Sequence, residues 1–219
     1  MPGPPFDCEW GFPPPFEWPD DDVVAVGGDL SPDTLLHAYS HGFFPMRLDA
    51  GSGPLAWWSP VRRGIFPLDG LRITRSLRRS CRRFEVTVDR DFRSVMQECA
   101  KGRADGNWIE EDFVEAYCRL HEMGWAHSIE VRIDGLLVGG LYGVRIGGFF
   151  AGESMFHRER DASKAALVAL VGMMRLDGMV LLDTQWCTEH LASLGCTEVP
   201  RLDYLALLES ATGVAILGG

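Results

Sequence analysis

Apolar and polar residues follow one another along this chain in patterns that predict both strands and helices. Residues 127–133 and 136–146 alternate as half-buried strands do, and the Asp134-Gly135 pair between them is typical of a tight hairpin turn. A second glycine-rich turn leads into an apolar run that begins at Phe149. A long helical pattern and a further apolar strand come after it. The chain is therefore expected to be an α+β protein in which helices flank a mixed central sheet.

The first part of the chain has a different pattern, which is rich in proline and aromatic residues. Ser31 and Pro32 are typical of the start of a helix, and Gly42 is typical of its end. Prolines and paired tryptophans follow, which indicates a packed loop and a change of domain. We therefore expect a small N-terminal domain over residues 1–60 and a larger domain over residues 61–219.

Charge is distributed very unevenly along the sequence. The formal net charge is −10, yet residues 62–83 contain eight arginines and a single acid, Asp69. From Thr74 onward this stretch has the period of a helix whose polar surface carries only positive charge. A helix that merely faces water usually mixes both signs, so this surface is interpreted as a binding site for nucleic-acid phosphates. Its members are Arg75, Arg78, Arg79, Arg82 and Arg83.

Several classes of protein and of site have no support in the sequence. No apolar run is long enough to span a bilayer, and the first residues lack the pattern of a secretory signal. The six cysteines are scattered without a close pair, which argues against a zinc site and against a disulfide framework. His37 and His41 lie one helical turn apart, but no third ligand accompanies them. We therefore expect a cytoplasmic protein that uses neither a metal nor a cofactor.

Two acids and an amide stand at the ends of apolar runs in the second half of the chain. Glu153 follows one such run, and Asp183 and Gln185 follow another. Residues two apart on a strand share a face, so Asp183 and Gln185 are expected to point into one site. A single polar residue at a strand end is ordinary. Three of them, bracketed by apolar and glycine-rich sequence, are interpreted as an active site.

Short motifs narrow the possible reactions. Residues 152–156, Gly-Glu-Ser-Met-Phe, begin like a nucleophile elbow but lack its final glycine, so Ser154 is not expected to be a nucleophile. The order of meander, helix and strand resembles the fold of the N-acetyltransferase superfamily. Residues 158–164, however, lack the glycine-rich loop with which those enzymes hold acetyl coenzyme A. The sequence therefore argues against acetyl coenzyme A as a donor, but not against acyl transfer from another donor.

Most of the chain is covered by a series of ordered motifs. These are VGGDLSP (26–32), AYSHGFFP (38–45), WWSP (57–60), RSLR (75–78), WI (108–109), AYCRLHEMG (116–124), AHSIEV (126–131), LVGGLYGV (137–144), GESMF (152–156), ASKAAL (162–167), LDTQ (182–185) and HLASLG (190–195). Together they resemble the leucyl/phenylalanyl-tRNA–protein transferase family. The resemblance implies an aminoacyltransferase with an acetyltransferase-like larger domain. Such an enzyme moves leucine, phenylalanine or methionine from tRNA to the N-terminal arginine or lysine of a protein and so marks that protein for degradation.

The same resemblance implies that Asp183, Gln185 and Glu153 are the catalytic or acceptor-binding residues. This agrees with the chemistry, because aminolysis of an aminoacyl ester needs two positioned substrates and the removal of one proton, but no covalent nucleophile. The partners are then aminoacyl-tRNA and an acceptor protein, without a membrane or a cofactor. We expect the enzyme to be a monomer. The basic helix fits the tRNA, and the acids fit a basic N-terminus.

Substrate-binding residues are also implied by the resemblance. Trp108 and Met46 are expected to hold the terminal adenosine of the tRNA. Met155 and Phe150 are expected to bound the pocket for the leucine or phenylalanine side chain. Two positions depart from the family, because Met46 stands where a tryptophan is usual and His157 stands where a serine is usual.

The residues by themselves are compatible with two other functions. One is an acyltransferase that uses a small thioester donor, which binding of coenzyme A without binding of RNA would support. The other is a tRNA-binding protein without catalytic activity, for which the basic helix alone would suffice. Which carboxylate takes the proton from the attacking amine is left undecided by the sequence.

Overall fold

The computed structural model describes residues 8–49, 53–101 and 109–216. The strands in this part of the chain are β1 (Val23–Val26), β2 (Phe44–Arg47), β3 (Leu55–Trp58), β4 (Arg62–Phe66), β5 (Glu85–Val88), β6 (Ala126–Ile133), β7 (Leu136–Ile146), β8 (Phe149–His157), β9 (Leu181–Gln185) and β10 (Thr197–Pro200). The helices are α1 (Pro32–Ser40), α2 (Arg75–Cys81), α3 (Phe92–Ala100), α4 (Glu111–Glu122), α5 (Ala162–Leu176), α6 (Glu189–Leu194) and α7 (Arg201–Thr212). A single 3₁₀ turn at Pro15–Glu17 precedes them in the described residues.

These strands form two sheets. A small antiparallel sheet has the spatial order β1-β3-β2. A seven-stranded sheet has the order β10-β4-β9-β8-β7-β6-β5, in which β8 and β9 are parallel and the other neighbours are antiparallel. The expected α+β architecture, with a small N-terminal part and a mixed sheet flanked by helices, is confirmed. The division of the chain at residue 60 stays a prediction.

Local sequence explains where these elements begin and turn. The Ser31 hydroxyl oxygen accepts a hydrogen bond from the Thr34 backbone N–H at 3.4 Å, which caps α1 as predicted. Asp134 and Gly135 both take positive φ angles, as a two-residue hairpin turn between β6 and β7 requires. The predicted helix and the predicted hairpin are therefore confirmed.

The hydrophobic core covers both faces of the large sheet. On one face, α5 packs over apolar residues of β6 to β9. On the other face, α1 and β3 of the N-terminal part pack together with α3, α4 and α7, and Tyr39, Trp57 and Tyr204 are completely buried there. Burial of side chains this large is the main source of stability, so the N-terminal part is held firmly against the sheet. Within the described ranges, no helix is both long and apolar enough to cross a membrane.

Strand β7 comes very close to β8 at Gly143. A Cβ atom at this position would lie 2.1 Å from the backbone oxygen of Ala151 and 2.4 Å from the ring of Phe150. Both distances are far below van der Waals contact, so a side chain cannot be added without moving a strand. The register of β7 against β8 also shifts here, which marks a β-bulge.

We expect Gly143→Ala to lower the free energy of unfolding by about 1–3 kcal/mol, because the added methyl group would force the two strands apart. Gly172→Ala is the matched control, since a Cβ there has no atom within 4 Å on the exposed side of α5. It should be neutral or slightly stabilising, because alanine favours a helix over glycine. Urea denaturation measures both variants, and equal stability of the two would contradict the close approach at Gly143.

Candidate active site

Strands β8 and β9 run side by side only over their first residues. Their parallel pairing ends with Ala151 opposite Asp183. Beyond this point the two strands line a cavity of about 660 Å³, to which β8 contributes residues 152–155 and β9 contributes residues 184–185. Where neighbouring strands stop pairing, their backbone N–H and C=O groups become available to another molecule. The opening can therefore bind a substrate within the plane of the sheet.

Asp183 and Arg63 form a fully buried ion pair behind this opening. Arg63 Nε and Nη2 donate to Asp183 Oδ1 and Oδ2 at 2.8 and 2.6 Å, and the two side chains are 1% and 0% exposed. Tyr204 Oη donates to Asp183 Oδ2 at 3.1 Å, and Arg63 Nη1 donates to the Gly42 carbonyl oxygen at 3.2 Å. Burial alone would lower the pKa of Arg63, but the charge of Asp183 raises that pKa above its ordinary value. Asp183 is therefore a fixed negative charge whose neutralising partner lies beside it.

Gln185 connects Asp183 to the cavity. Its backbone N–H donates to Asp183 Oδ1 at 2.9 Å, and its side-chain Nε2 donates to Glu153 Oε1 at 3.2 Å. The φ angle of Gln185 is +58°, in the left-handed region that glutamine seldom adopts. Strain of this kind persists where surrounding contacts enforce it, and it is common at functional sites. The Asp183 carboxylate thus holds a turn that directs the Gln185 amide toward Glu153.

Glu153 lies within β8 rather than at the end of that strand, which corrects the expectation from the sequence. Its neighbours on either side pair with the adjacent residues Gly143 and Tyr142 of β7, so Glu153 is the extra residue of the bulge. Tyr117 Oη donates to Glu153 Oε2 at 3.5 Å, and the Tyr39 hydroxyl also bonds to this carboxylate. The bulge therefore places an acid in the middle of an otherwise apolar strand.

The carboxyl group of Glu153 resists ionisation. Burial raises the pKa of Glu153 to about 8, and the negative charge of Asp183 acts in the same direction. Hydrogen bonds from Tyr39 and Tyr117 and the charge of Arg63 act against this rise. A group whose pKa lies near neutral pH can both take up and release a proton, which suits it for general acid–base chemistry.

One end of the cavity is apolar. It is lined by Leu141, Met155, Leu167, Leu170, Leu182 and Leu191. Met155 thus lies where a pocket for an apolar side chain could be. Phe150, which the resemblance assigned to the same pocket, does not line the cavity, because it is buried in the core with its ring against Gly143.

The other end of the cavity is aromatic. Phe44, Met46, Trp58 and Trp186 line it. The Trp186 ring lies edge-on to the rings of Phe44 and Trp58, with centroids 5.1 and 5.8 Å away. Met46 therefore joins a cluster of flat rings at this end. The position of Trp108, the other residue expected to hold adenosine, lies outside the described residues.

The basic helix predicted from the sequence is α2, which ends at Cys81, so Arg82 and Arg83 follow the helix instead of belonging to it. All five predicted binding residues, called the α2 arginines, are exposed, and none of them forms an ion pair within the described part of the chain: Arg75, Arg78, Arg79, Arg82 and Arg83. Arg63 belongs to the same basic stretch of sequence but is buried beside Asp183 instead. Among the described residues, no group of three His, Cys, Asp or Glu side chains is placed to hold a metal ion.

Four residues that support the site were not singled out as functional from the sequence: Arg63, Tyr39, Tyr117 and Tyr204. Arg63 gave no signal of this role, because Arg62 and Gly64 flank it in a stretch rich in arginine. The tyrosines gave none either, because a tyrosine on the apolar face of a helix is ordinary core.

Comparison with known proteins gives concordant matches over nearly the whole chain. The family model described as leucyl/phenylalanyl-tRNA protein transferase matches residues 65–209, and the model of that family's N-terminal domain matches residues 28–61. The chain is 48% identical over 206 residues to the leucyl/phenylalanyl-tRNA–protein transferase of Pseudoalteromonas atlantica, covering 91% of this chain and 87% of that relative. It is 50% identical over 193 residues to the enzyme of the same name from Alcanivorax borkumensis, covering 86% and 79% of the two chains.

A solved structure with a weaker likeness is a GCN5-related N-acetyltransferase-like protein from Streptococcus suis. It is 18% identical to this chain, with a TM-score of 0.36, over 76% of this chain and 63% of the other.

The raised pKa of Glu153 should make the folded protein less stable as the pH rises. In the unfolded chain this group ionises near its ordinary pKa of 4.5, whereas in the folded chain it keeps its proton until about pH 8. Between these two values the folded state binds more protons than the unfolded state, so stability falls with rising pH. We expect Glu153→Gln, which cannot ionise, to remove this contribution and to gain stability relative to the wild type toward about pH 8.

Thermal unfolding of both proteins over the range from about pH 5 to about pH 8 measures this difference. Glu122→Gln is the control, because Glu122 is exposed at the end of α4 and does not line the cavity. Parallel curves for the wild type and Glu153→Gln would contradict the raised pKa.

Proposed function

Because the chain belongs to the leucyl/phenylalanyl-tRNA–protein transferase family, we propose that the opening between β8 and β9 is where it joins the aminoacyl group to the acceptor protein. The observation that carries this proposal is the hydrogen bond between Gln185 and Glu153 at the edge of a partly apolar cavity. The chain is an aminoacyltransferase, and both alternatives left open by the sequence, a thioester-dependent enzyme and a silent tRNA-binding protein, are set aside by this membership.

The two ends of the cavity match the two ends of an aminoacyl-adenosine. The leucine or phenylalanine side chain is assigned to the apolar end, beside Met155 and Leu170. The terminal adenine is assigned to the aromatic end, where Trp58 and Trp186 offer flat surfaces and Met46 a flexible one. Stacking of a base on an aromatic ring contributes roughly 1–3 kcal/mol. With the donor held in this way, its ester bond lies in the middle of the cavity, next to Gln185.

The acceptor amine is assigned to Gln185 and its proton to Glu153. Since Gln185 Nε2 donates to Glu153, the Gln185 amide oxygen is the atom left to accept a hydrogen bond from the amine. The amine nitrogen bonds to the ester carbonyl carbon while the ribose 3′ oxygen leaves. The ionised form of Glu153, which is the smaller fraction below its pKa of about 8, takes the proton that the amine loses and returns it to the leaving oxygen.

Asp183 is assigned a positioning role rather than direct proton transfer. Its two oxygens accept hydrogen bonds from Arg63, from Tyr204 and from the backbone N–H of Gln185, and the residue is 0% exposed. These partners surround the Asp183 carboxylate and block access to it from the cavity. Of the two acids that the sequence could not distinguish, the geometry favours Glu153 as the proton acceptor.

The finer points of the reaction are also proposals. The acceptor is a protein with an N-terminal arginine or lysine, and the modification marks it for degradation. Support for a basic acceptor comes from Asp49, an acid that lines the cavity. We place the enzyme in the cytoplasm as a monomer. The direct test is transfer of labelled leucine from leucyl-tRNA to a peptide that begins with arginine, with a peptide that begins with glycine as the comparison.

In that assay, Gln185→Ala should lower kcat by about a hundredfold or more while leaving the KM for leucyl-tRNA nearly unchanged, because it removes the group that holds the amine. Gln97→Ala makes the same replacement at an exposed site on α3 and is the matched control.

Asp183→Asn should also lower kcat, and it should destabilise the protein by about 3–5 kcal/mol because it leaves Arg63 without its charged partner.

The double variant should lose less activity than the two single losses predict, because Asp183 and Gln185 act as one unit. Thermal unfolding of each variant separates lost folding from lost chemistry. Near-normal transfer by Gln185→Ala, or strictly additive losses in the folded double variant, would refute these roles.

The arginines of α2 are proposed to hold the acceptor stem of the tRNA through its phosphates. Replacing both Arg78 and Arg82 with glutamate should weaken leucyl-tRNA binding and flatten its dependence on salt, because fewer counterions are then released on binding. The double variant Arg119→Glu/Arg175→Glu, at exposed sites on α4 and in the last turn of α5, controls for total charge. If the affinity and the salt slope of the α2 variant match those of the control, these arginines are only a solvated surface.

A further inference from the structure

A second, smaller cavity lies at the start of α5, next to the active-site cavity. Its volume is about 410 Å³. Lysine, arginine or histidine supplies five of its seven lining residues, which are His157, Arg158, Arg160, Asp161, Ser163, Lys164 and His190. His190 also lines the active-site cavity, so the two cavities share a wall. The second cavity takes no part in the chemistry assigned above.

Part of the positive charge in this cavity is already balanced by acids. Lys164 Nζ and Arg160 Nε lie 3.1 and 3.8 Å from Asp161 oxygens. Arg158 Nε donates to Glu98 Oε2 at 2.8 Å. Because a single acid serves both Lys164 and Arg160, the lining keeps an excess of positive charge.

The two histidines add hydrogen-bond donors to this wall. Neither His157 nor His190 has an acidic partner within the described ranges, and both are exposed. Desolvation, and then the charges of Lys164 and His157, lower the pKa of His190, so His190 lies in a positive potential. The N-terminus of the 15-residue helix α5 contributes to the positive potential at the same place. That potential would attract an anion into this cavity.

The cavity also adjoins the arginine helix α2. Ser80 of α2 donates through Oγ to Asp161 Oδ2 at 2.9 Å, and Asp161 is part of the cavity wall. The cavity therefore lies between two other sites. His190 joins it to the active-site cavity, and Asp161 joins it to the surface that carries the α2 arginines.

We propose that this cavity binds the phosphodiester backbone of the unpaired 3′ nucleotides of the aminoacyl-tRNA. The inference rests on the proposed function, in which the ester lies beside Gln185 and the stem lies on α2. The single strand that joins ester and stem must then cross the surface between them, past His190 and Lys164. Lys164 donates to a phosphate there, and His157 supplies a second donor.

Three leucine donors of increasing size test this assignment. They are 3′-leucyl-adenosine, which has no phosphodiester, a leucylated CCA trinucleotide, which has two, and complete leucyl-tRNA. Lys164→Met and His157→Phe remove single donors, and their double variant removes both. We expect each single variant to raise the KM for the trinucleotide and for leucyl-tRNA by about tenfold or less, and the double variant by more. The KM for 3′-leucyl-adenosine should not change.

Salt dependence gives a second readout of the same assignment. Loss of one phosphate contact should reduce the slope of log affinity against log salt by about 0.7 for the trinucleotide. Arg175→Gln, near the other end of α5, is the matched control for charge, and thermal unfolding verifies that the variants are folded. An unchanged KM for the trinucleotide in the double variant, or an equal rise for 3′-leucyl-adenosine, would overturn the inference.

The outcomes also separate this inference from the proposals on which it rests. Replacing the α2 arginines with glutamate should raise the KM for leucyl-tRNA but not the KM for the trinucleotide. If the assignment of the stem to α2 fails, the KM for the trinucleotide still tests this inference. If the wild-type protein transferred leucine from none of the three donors, the proposed function would fail and this inference with it.

Discussion

The buried contact between Arg63 and Asp183 is the constraint on which the rest of the structure depends. The Arg63 guanidinium lies 4.8 Å from the ring of Phe44 and 4.4 Å from the ring of Tyr204, and it donates to the Gly42 carbonyl. One side chain therefore ties the N-terminal part, the middle of the sheet and α7 together. Removal of two charges from water is costly, so such a pair contributes less to stability than to the choice of one arrangement over others. Here that arrangement places the ends of β8 and β9.

The cavity between β8 and β9 follows from the way this sheet is built. A continuous sheet would satisfy its backbone groups internally and offer no space between strands. Because β8 and β9 stop pairing at Ala151 and Asp183, the same rigid elements that form the core also form the two walls of the site. The bulge in β8 then turns Glu153 toward the hydroxyl groups of Tyr39 and Tyr117. The acid and the amide are thus carried by strands, and the apolar lining by strands together with α5 and α6, which favours fixed geometry.

Much of the fold could be predicted from the sequence, because turns and helix ends depend on single residues with strong local preferences. The site was harder to predict. Arg63 resembled the other arginines of its stretch, since a charge in a sequence does not reveal whether the residue is buried. Glu153 was expected at a strand end, because a bulge has no clear sequence pattern. Asp183 and Gln185 were expected to share a face, but the left-handed turn at Gln185 leaves one behind the wall and the other in the cavity.

That turn has an evolutionary consequence. Residue 185 must combine a φ angle of +58° with a side chain that reaches Glu153. Glycine and asparagine adopt this backbone more easily than glutamine does, but glycine has no amide and asparagine is one methylene shorter. A chain selected for stability alone would therefore drift toward those residues and lose the hydrogen bond from residue 185 to Glu153. If Gln185 has the proposed role, a substitution here that stabilises the fold would also reduce turnover. Residue 185 would then limit how far either stability or turnover can be improved.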